Sequence, residues 1–531
     1  MKKIISLVFV AMVMAVNTFS QKEFTKMFEL KIPVDVDKWG SNDDNSWVVA
    51  GDMSTICGID AVSGKIVWTL VVKEKFGVKK AEKWWYDTDK GVVEVLVKGD
   101  KKDDQVTHYI DEKTGQEVSN PETRKKSSGG GLSVLDFGKH WVGAGNVRVP
   151  ELNSVLHLSY ERNWAVSSFK RGKTYPIEVM STGDHSWKTQ IQGSFVRSLC
   201  DNVRGYGSDF GGDFITLFYE GGYVFVVYEG LSVLDAKTGA LLWETTFDYS
   251  IFDFGAIKSE LILGRAPMPV VDGTSVYVAD LSKDVRAIKK FDAATGKVLW
   301  SSERLEKDAI ITEMIVENGA LIVRNGGEVL VQSLIQNANT GAQTCISEYK
   351  EEGDFSLTAY DVASGKLLWE GKELKSLGDK FKSISNLMGE NGILYVASDR
   401  NLFALEPKTG EIKFKTDLAA LKIGKAKTLY FLNGDILISG EEGLARASKG
   451  DGKIKYGTNT DKNFGFMEEG EAFYVWNGSK DDDIHQFIRF NLETGAIEGM
   501  IRDTYHPYFS PDGNQFIRMS KGVLSRYNTK K

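Results

Sequence analysis

Three short segments hold residue types that could bind a metal ion or a ligand. Carboxylate and amide oxygens, the ligands that calcium prefers, are concentrated in residues 42–45 (Asn-Asp-Asp-Asn) and in residues 481–483 (Asp-Asp-Asp) beside His485. Neither has the spacing of a known calcium loop, so we predict solvated loop tips. Residues 84–86 (Trp-Trp-Tyr) could form an aromatic platform for a sugar or a peptide. Because side chains alternate along a strand, the first and third rings share one face, and at least one ring should enter the core.

The remaining motifs lack residues that their chemistry requires. The six histidines show no pairing at the short spacing of zinc ligands. Residues 171–174 (Arg-Gly-Lys-Thr) match the end of a phosphate-binding loop, but Ser167 stands where its first glycine is needed. Gly143 and Gly145 begin a dinucleotide-binding pattern, but Arg148 replaces its third glycine. We therefore predict no catalytic residue and no metal site from these motifs.

The first 20 residues are typical of a signal peptide. Two lysines at positions 2 and 3 precede an apolar run over residues 4–16, and Thr18 and Ser20 supply small residues where a signal peptidase cleaves. The run is shorter than the roughly 20 residues that span a bilayer. The nearest cysteine, Cys57, is too distant to accept a lipid anchor. We predict cleavage near Ser20 and a periplasmic or secreted protein without a transmembrane anchor.

Charge and cysteine content narrow the class of protein further. The formal net charge is -7, which argues against a surface for nucleic acid or an anionic membrane. The three cysteines, Cys57, Cys200 and Cys345, permit at most one disulfide. We predict that they are buried as small apolar residues.

The strongest pattern in the sequence is an internal repeat. An apolar residue is followed by Asp, two variable residues, Ser or Thr, and Gly, and a Trp stands four residues after the Gly. The complete copies contain Asp60, Gly64 and Trp68; Asp235, Gly239 and Trp243; Asp292, Gly296 and Trp300; and Asp361, Gly365 and Trp369. Weaker copies lie at residues 111–115, 181–187, 406–414, 451–456 and 491–495.

Each copy predicts a β-hairpin. The Asp and the Ser or Thr can hydrogen-bond the backbone of a tight turn, and the Gly can adopt the positive φ that closes it. A second turn, such as Asp272-Gly273 or Asn391-Gly392, precedes most copies and begins another hairpin. Each repeat therefore contains about four strands, with the Asp, Gly and Trp in structural roles.

A repeated four-stranded unit of ~40–50 residues is typical of a propeller blade. We predict an all-β fold in which residues 21–531 form a single β-propeller of about eight blades, within a range of seven to ten. Insertions are expected near residues 116–178 and 325–355. The last repeat lacks its outer strand, so residues 27–32 should pair with residues 514–527. Deleting residues 21–34 should then be much more harmful than trimming residues 529–531.

The pattern that includes Asp361, Gly365 and Trp369 resembles the repeat of the PQQ-like (quinoprotein-type) β-propellers, and the resemblance covers nearly all of the mature chain. It implies that each repeat Trp packs between neighbouring blades. The family includes quinoprotein alcohol dehydrogenases and non-catalytic propellers, one of which helps to assemble outer-membrane barrels. The adjacent cysteines that line the cofactor in the dehydrogenases are missing from this sequence.

The resemblance and the residues together favour binding over catalysis. We expect a monomeric, non-enzymatic scaffold in the cell envelope or outside the cell, with a protein partner or a small polar ligand and no cofactor. PQQ remains the cofactor to test. The alternative is a quinone-dependent oxidoreductase or a carbohydrate-active enzyme whose site is built from loops between blades.

Overall fold

The computed structural model describes residues 23–529 except 43, 89, 100–104, 120–138, 164–173, 195–214, 248–250, 253–259, 264–266, 283, 307–308, 337–342, 372–382, 461–462, 470–471, 479–484 and 503–506. The predicted signal peptide, Cys200, residues 171–173 and the acidic residues 481–483 lie outside this part. In the described residues, no helix is long and apolar enough to cross a bilayer.

Most of the described residues lie in β-strands, which form ten antiparallel sheets, and there is almost no helix. The N-terminal strand is β1 (Thr25–Lys31). Sheet 1 contains β2 (Lys38–Ser41), β3 (Trp47–Gly51), β4 (Thr55–Asp60) and β5 (Lys65–Val71), followed by the short helix α1 (Val72–Phe76). Sheet 2 contains β6 (Lys83–Asp87), β7 (Val92–Lys98), β8 (Gln105–Asp111) and β9 (Glu117–Val118). Sheet 3 contains β10 (Lys139–Val149), β11 (Ser154–Asn163), β12 (Thr174–Gly183) and β13 (Trp187–Ser194), with a 3-10 turn at Pro150–Leu152.

The next three sheets include the longest strands. Sheet 4 contains β14 (Thr216–Glu220), β15 (Tyr223–Tyr228), β16 (Gly230–Asp235) and β17 (Leu241–Thr246). Two short strands follow, β18 (Ile251–Phe252) and β19 (Glu260–Leu263). Sheet 5 contains β20 (Val270–Asp272), β21 (Ser275–Asp280), β22 (Ala287–Asp292) and β23 (Val298–Ser301). Sheet 6 contains β24 (Ile311–Glu317), β25 (Ala320–Gln336), β26 (Gln343–Asp361) and β27 (Leu367–Glu370), and β19 with β18 adds to the outer part of β25.

Four further sheets complete the described chain. Sheet 7 contains β28 (Met388–Glu390), β29 (Ile393–Ser398), β30 (Asn401–Leu405) and β31 (Ile412–Asp417), followed by a 3-10 turn at Ala419–Leu421. Sheet 8 contains β32 (Ala426–Leu432), β33 (Asp435–Gly440), β34 (Gly443–Ser448) and β35 (Ile454–Asn459). Sheet 9 contains β36 (Asn463–Glu469), β37 (Ala472–Gly478), β38 (His485–Phe490) and β39 (Ile497–Arg502). Sheet 10 contains β40 (Tyr508–Phe509), β41 (Gln515–Ser520) and β42 (Val523–Asn528), with β1 as its fourth strand.

Apart from β1 in sheet 10 and β19 in sheet 6, strands that follow one another in the chain are neighbours in their sheet. This is the arrangement of a propeller blade, and the chain has a β-propeller fold. Ten sheets lie at the upper limit of the predicted range and above its central value of eight. That value treated one or two of the weaker repeat copies as extra hairpins. Each weaker copy instead joins the third and fourth strands of a sheet whose first two strands lie before it in the chain. Each weaker copy therefore belongs to a complete sheet.

The pairing of the N-terminal strand with the last repeat is confirmed. Strand β1 pairs antiparallel with β42, from Thr25 opposite Asn528 to Lys31 opposite Val523, with a bulge between Lys26 and Phe28. The pairing supplies the fourth strand that the C-terminal repeat lacks.

The hydrophobic core lies between the faces of consecutive sheets. Between sheets 4 and 5, for example, Phe225 and Val233 pack with Val276 and Phe291, all of them buried. The described residues divide into two compact units, with boundaries at Arg124/Lys125 and Asn459/Thr460. Sheets 1, 2, 9 and 10 belong to one unit, and sheets 3 to 8 belong to the other.

Candidate functional site

The polar side chains of the repeat turns form hydrogen bonds within their own turn. In sheet 5, the backbone N–H and the hydroxyl of Thr295 both donate to the Asp292 carboxylate, at 2.9 and 2.6 Å. The N–H of Gly296 donates to the Asp292 carbonyl at 2.9 Å, and Gly296 has a φ of 67°. The Thr295 hydroxyl, followed by its N–H, lowers the pKa of Asp292 below the usual range. The carboxylate is therefore a structural acceptor.

The same arrangement recurs in the other complete copies. Gly64, Gly239 and Gly365 have φ values of 67°, 70° and 71°. The pKa values of the three turn carboxylates are lowered, in each case chiefly by a hydrogen bond from the Ser or Thr three residues later; these are Asp60, Asp235 and Asp361.

Each repeat Trp reaches the turn of the following sheet. Trp243 donates from Nε1 to the carbonyl oxygen of Ala293, the residue directly after Asp292, at 2.7 Å. The equivalent bonds join Trp68 to Glu112 at 2.7 Å, Trp187 to Ala236 at 2.9 Å, Trp300 to Val362 at 3.0 Å and Trp369 to Pro407 at 2.7 Å. Trp243, Trp300 and Trp369 are buried, and Trp68 is partly buried. One half of the motif thus recognises the other half in the next sheet.

The turn glycines are required for a second reason besides their backbone angles. A Cβ on Gly296 would lie 2.6 Å from the ring of Trp243, and a Cβ on Gly365 would lie 2.6 Å from the ring of Trp300. In sheet 8, Gly452 meets the Phe414 ring in the same way. The indole and the glycine therefore form one joint between sheets.

In the joint between sheets 10 and 1, two residues make the two contacts that a single Trp makes in the other joints. Phe28 on β1 lies over Gly64, where a Cβ would approach the ring to 2.9 Å. Arg526 on β42 donates from Nη1 to the carbonyl oxygen of Ala61 at 2.8 Å, the position that the indole nitrogen contacts elsewhere. Burial lowers the pKa of Arg526. Sequence reasoning missed this pair, because neither residue belongs to a copy of the repeat.

The aromatic platform predicted at residues 84–86 is largely used inside the protein. Trp84 is fully buried in the core between sheets 1 and 2, and Tyr86 is packed against the same core. The hydroxyl of Tyr86 bonds the Glu112 carboxylate. Trp85 remains partly exposed, with the Lys83 ammonium 5.6 Å from its ring centre. Of the three rings of the predicted platform, Trp85 is the one that could contact a ligand.

Asn42 and Asp44 bind the backbone of their own loop, and Asp43 lies outside the described residues. The Asn42 side-chain oxygen accepts the N–H of Trp47 at 2.8 Å, and the Asp44 carboxylate accepts the N–H of Ser46 at 3.0 Å. Asn45 is buried and donates to the Tyr508 carbonyl at 3.1 Å. Across the part of the chain that the structure describes, no group of three His, Cys, Asp or Glu side chains is placed to hold a metal ion.

The largest departure from the repeat is a hairpin that extends sheet 6. Strands β25 and β26 pair within the sheet from Ala320 opposite Asp361 to Asn325 opposite Ser356. After a bulge, the ladder continues from Gly327 opposite Glu352 to Gln336 opposite Gln343. We call residues 327–352 the projecting hairpin.

Polar side chains hold the base of the projecting hairpin. Arg324 lies 3.3 Å from the Glu313 carboxylate and donates to the Ser385 carbonyl at 2.7 Å and to the Thr312 hydroxyl at 2.9 Å. The same Glu313 carboxylate accepts the N–H of Leu387 at 2.9 Å. Burial raises the pKa of Glu313, although Arg324 opposes the shift. The base of the hairpin is thereby fixed to the segment that enters sheet 7.

A second contact reaches from the projecting hairpin to sheet 8. Glu351 forms an ion pair with Lys427 on β32, and Lys427 also lies 3.5 Å from the Glu441 carboxylate. Burial alone would lower the pKa of Lys427, but the hydrogen bonds and charges of Glu351 and Glu441 together raise it. The hairpin is therefore anchored at two places, which suits a preorganised binding element.

The amino-acid sequence is similar to one protein family and to one relative. A family model described as outer membrane protein assembly factor BamB matches residues 171–351 and 353–483, more than half of the chain. The uncharacterized protein RC0314 of Rickettsia conorii is 23% identical over 237 residues, which cover 38% of this chain. The match spans about half (51%) of that relative's length.

Solved structures with similar folds are distant. The quinohemoprotein alcohol dehydrogenase ADHIIG from Pseudomonas putida HK5 is 12% identical, with a TM-score of 0.31 over 84% of this chain and 79% of the other. The Dos1 propeller is 10% identical, with a TM-score of 0.37 over 72% of this chain and 90% of the other. Similarity at this level carries no information about activity.

Proposed function

The chain belongs to the family of the outer membrane protein assembly factor BamB, and from that premise we propose that it is an exported, non-enzymatic β-propeller that binds a protein partner. The proposed location is the cell envelope or the exterior of the cell. The family's description names the assembly of outer-membrane proteins, which agrees with an export signal over residues 1–20. We propose that the chain acts as a monomer without a cofactor.

The observation that carries the proposal is the projecting hairpin. Its two strands continue for ten residues each beyond the bulge at Gly327, and that length is not needed to complete a four-stranded sheet. Glu313 with Arg324 and Glu351 with Lys427 hold it in place. Because the backbone of the two strands is already paired, a partner can bind the hairpin at a small entropic cost.

The hairpin can be replaced with the pairing of residues 320–325 and 356–361 retained, although β19 loses its partner on β25. In the test variant, residues 328–351 are replaced by Asn-Gly, because Gly327 and Glu352 face each other and a two-residue turn can join them. Tagged wild type and variant are expressed in the native organism, and envelope proteins that co-purify are identified by mass spectrometry. The wild type should retain a specific partner that the variant loses, while both melt cooperatively. A Lys521→Ala variant, altered in an exposed turn of sheet 10, should keep the partner.

An enzymatic role would give a different result. In that case, PQQ with calcium should raise the melting temperature of the purified protein and support dye-linked oxidation of an alcohol. Either effect would overturn the non-enzymatic proposal. The proposed binding role of the hairpin would be overturned if the hairpin variant kept every partner of the wild type.

A further inference from the structure

The fourth strand of seven described sheets contains a β-bulge, which directly precedes the repeat Trp in sheets 1, 4, 5 and 6. In sheet 4, Trp243 pairs with Val233 and Leu241 pairs with Leu234, so Leu242 is the extra residue. The corresponding extra residues are Leu299 in sheet 5 and Leu368 in sheet 6. A bulge inserts one unpaired residue and bends the strand. Two consecutive side chains are exposed at this point in each of the three sheets.

The fold itself does not need an apolar residue in the bulge. The same bulge holds Lys413 in sheet 7, Lys455 in sheet 8 and Glu498 in sheet 9. By contrast, Leu242, Leu299 and Leu368 stand there with 40%, 48% and 38% of their surface exposed. Three leucines at a position that accepts charged residues elsewhere in the same chain are not explained by packing.

These leucines belong to a longer apolar surface. The residue before each of them is also apolar and exposed, and we call the set the leucine row: Leu241, Leu242, Val298, Leu299, Leu367 and Leu368. The sheets that carry it are consecutive, since Trp243 bonds sheet 4 to sheet 5 and Trp300 bonds sheet 5 to sheet 6. Single exposed apolar residues are ordinary, whereas here a pair of them recurs at the same place in three consecutive sheets.

Positive charge follows the leucine row. Lys297 and Lys366 directly precede the apolar pairs of sheets 5 and 6, and Lys237 lies in the turn of sheet 4. All three are exposed. The charges of Lys237 and Lys297 also contribute to the lowered pKa values of the turn carboxylates Asp235 and Asp292. Nearby turn carboxylates such as Asp292 already accept hydrogen bonds from their own turns. The surface therefore combines apolar pairs with lysines that are available to an acidic partner.

We propose that the leucine row binds an amphipathic helix of a partner protein, with an apolar face flanked by acidic residues. The apolar stripe of a helix is continuous, so it can contact pairs that belong to three separate sheets. An added β-strand could pair with the edge of only one sheet. This inference rests on the proposed binding function and assigns it a second surface, separate from the projecting hairpin.

The test uses the full-length mature protein and a synthetic helical peptide of about 20 residues, with leucine on one face and glutamate on both flanks. Binding is measured by fluorescence anisotropy. The key variant combines Leu242→Lys, Leu299→Lys and Leu368→Lys, which sheets 7 and 8 show to be compatible with the fold. Val67→Lys is the matched control, because Val67 occupies the same bulge in sheet 1, outside the row, and is also exposed.

The wild type and the Val67→Lys variant should bind the peptide equally, and the triple variant should bind at least tenfold more weakly. Exchange of the peptide's glutamates for lysines should weaken binding to the wild type by a similar factor. Equal binding to the triple variant, or no binding to the wild type, would overturn the inference. The inference would also be overturned if the wild type did not bind the peptide but instead self-associated or bound phosphatidylglycerol vesicles, and the triple variant lost that activity. If the triple variant still co-purifies the envelope partner that requires the hairpin, the proposed function survives and only the second surface is lost.

Discussion

The indole nitrogen of Trp243 donates a 2.7 Å hydrogen bond to the carbonyl oxygen of Ala293, and the same ring covers Gly296 three residues later. The contact joins sheet 4 to sheet 5. Because the acceptor directly follows the repeat Asp and the covered residue is the repeat Gly, a single motif encodes both sides of the joint. Tandem repetition of the motif is then sufficient to align consecutive sheets.

Removal of one repeat indole should destabilise the fold in two separable steps. Trp243→Ala loses a buried ring and should lower the free energy of unfolding by ~3–5 kcal/mol. Trp243→Phe keeps an aromatic ring but leaves the Ala293 carbonyl without its donor, which should cost ~1–3 kcal/mol. Urea unfolding measures both changes. Trp85→Phe, at a partly exposed ring, should have little effect; equal losses for all three variants would contradict the joint.

The glycine of the joint should be more sensitive than a glycine with the same backbone conformation in open space. Gly296→Ala and Gly273→Ala both place a Cβ at a positive φ, 67° and 56°, in the same sheet. Only the first Cβ meets an indole, and the second has no atom within 4 Å. Gly273→Ala should cost roughly 1–2 kcal/mol from backbone strain, and Gly296→Ala should cost clearly more in the same urea experiment. Similar values would show that the ring does not constrain this position.

Acid should weaken the turn of sheet 10 through Asp512. The Ser510 hydroxyl and the backbone and side-chain amides of Asn514 donate to its carboxylate and lower its pKa from 3.8 to about 2. The lower folded-state pKa stabilises the fold above pH 4, and this contribution is lost as the pH falls towards 2. The difference in melting temperature between wild type and Asp512→Asn should therefore be full at neutral pH and shrink over that interval. A difference independent of pH would refute the assignment.

Loss of the N-terminal strand should loosen sheet 10. Deletion of residues 21–34 removes β1 and the Phe28 ring from Gly64, so the melting temperature should fall and residues 508–528 should become accessible to protease. Arg526→Gln should give a smaller decrease, because it removes the guanidinium bonds to Ala61 and Gln515 but leaves β1 paired with β42. Unchanged protease resistance after the deletion would contradict the role of β1.

The last three residues, 529–531, are not a suitable control for the deletion of residues 21–34. Thr529 is buried, and its hydroxyl bonds both Tyr474 at 2.9 Å and Arg489 at 2.5 Å. Trimming residues 529–531 therefore removes these contacts, and the greater harm of deleting residues 21–34 stays a prediction. Removal of residues 530 and 531 alone is the appropriate control.

Local chemistry made the repeat readable from the sequence. Asp292, Thr295 and Gly296 interact within one turn, so their spacing predicts the hairpin directly. Phe28 and Arg526 lie at opposite ends of the chain and act on Gly64 and Ala61 without a shared motif, so only the fold brings them together. The exposure of Leu299 follows from a bulge in the strand register, which apolar patterning cannot reveal. The contacts of Thr529 with Tyr474 and Arg489 have no local motif either, since these partners are distant in sequence.

The central claim, that this propeller binds a protein through its projecting hairpin, is tested most directly by site-specific photo-crosslinking in living cells. A photoreactive residue is placed at exposed Asp354, at the base of the hairpin, or at exposed Lys521 in sheet 10. The account predicts a discrete adduct with one envelope protein from position 354 and none from position 521, and loss of the adduct when residues 328–351 are replaced by Asn-Gly. Absence of an adduct at 354, or the same adducts from both positions, would contradict it.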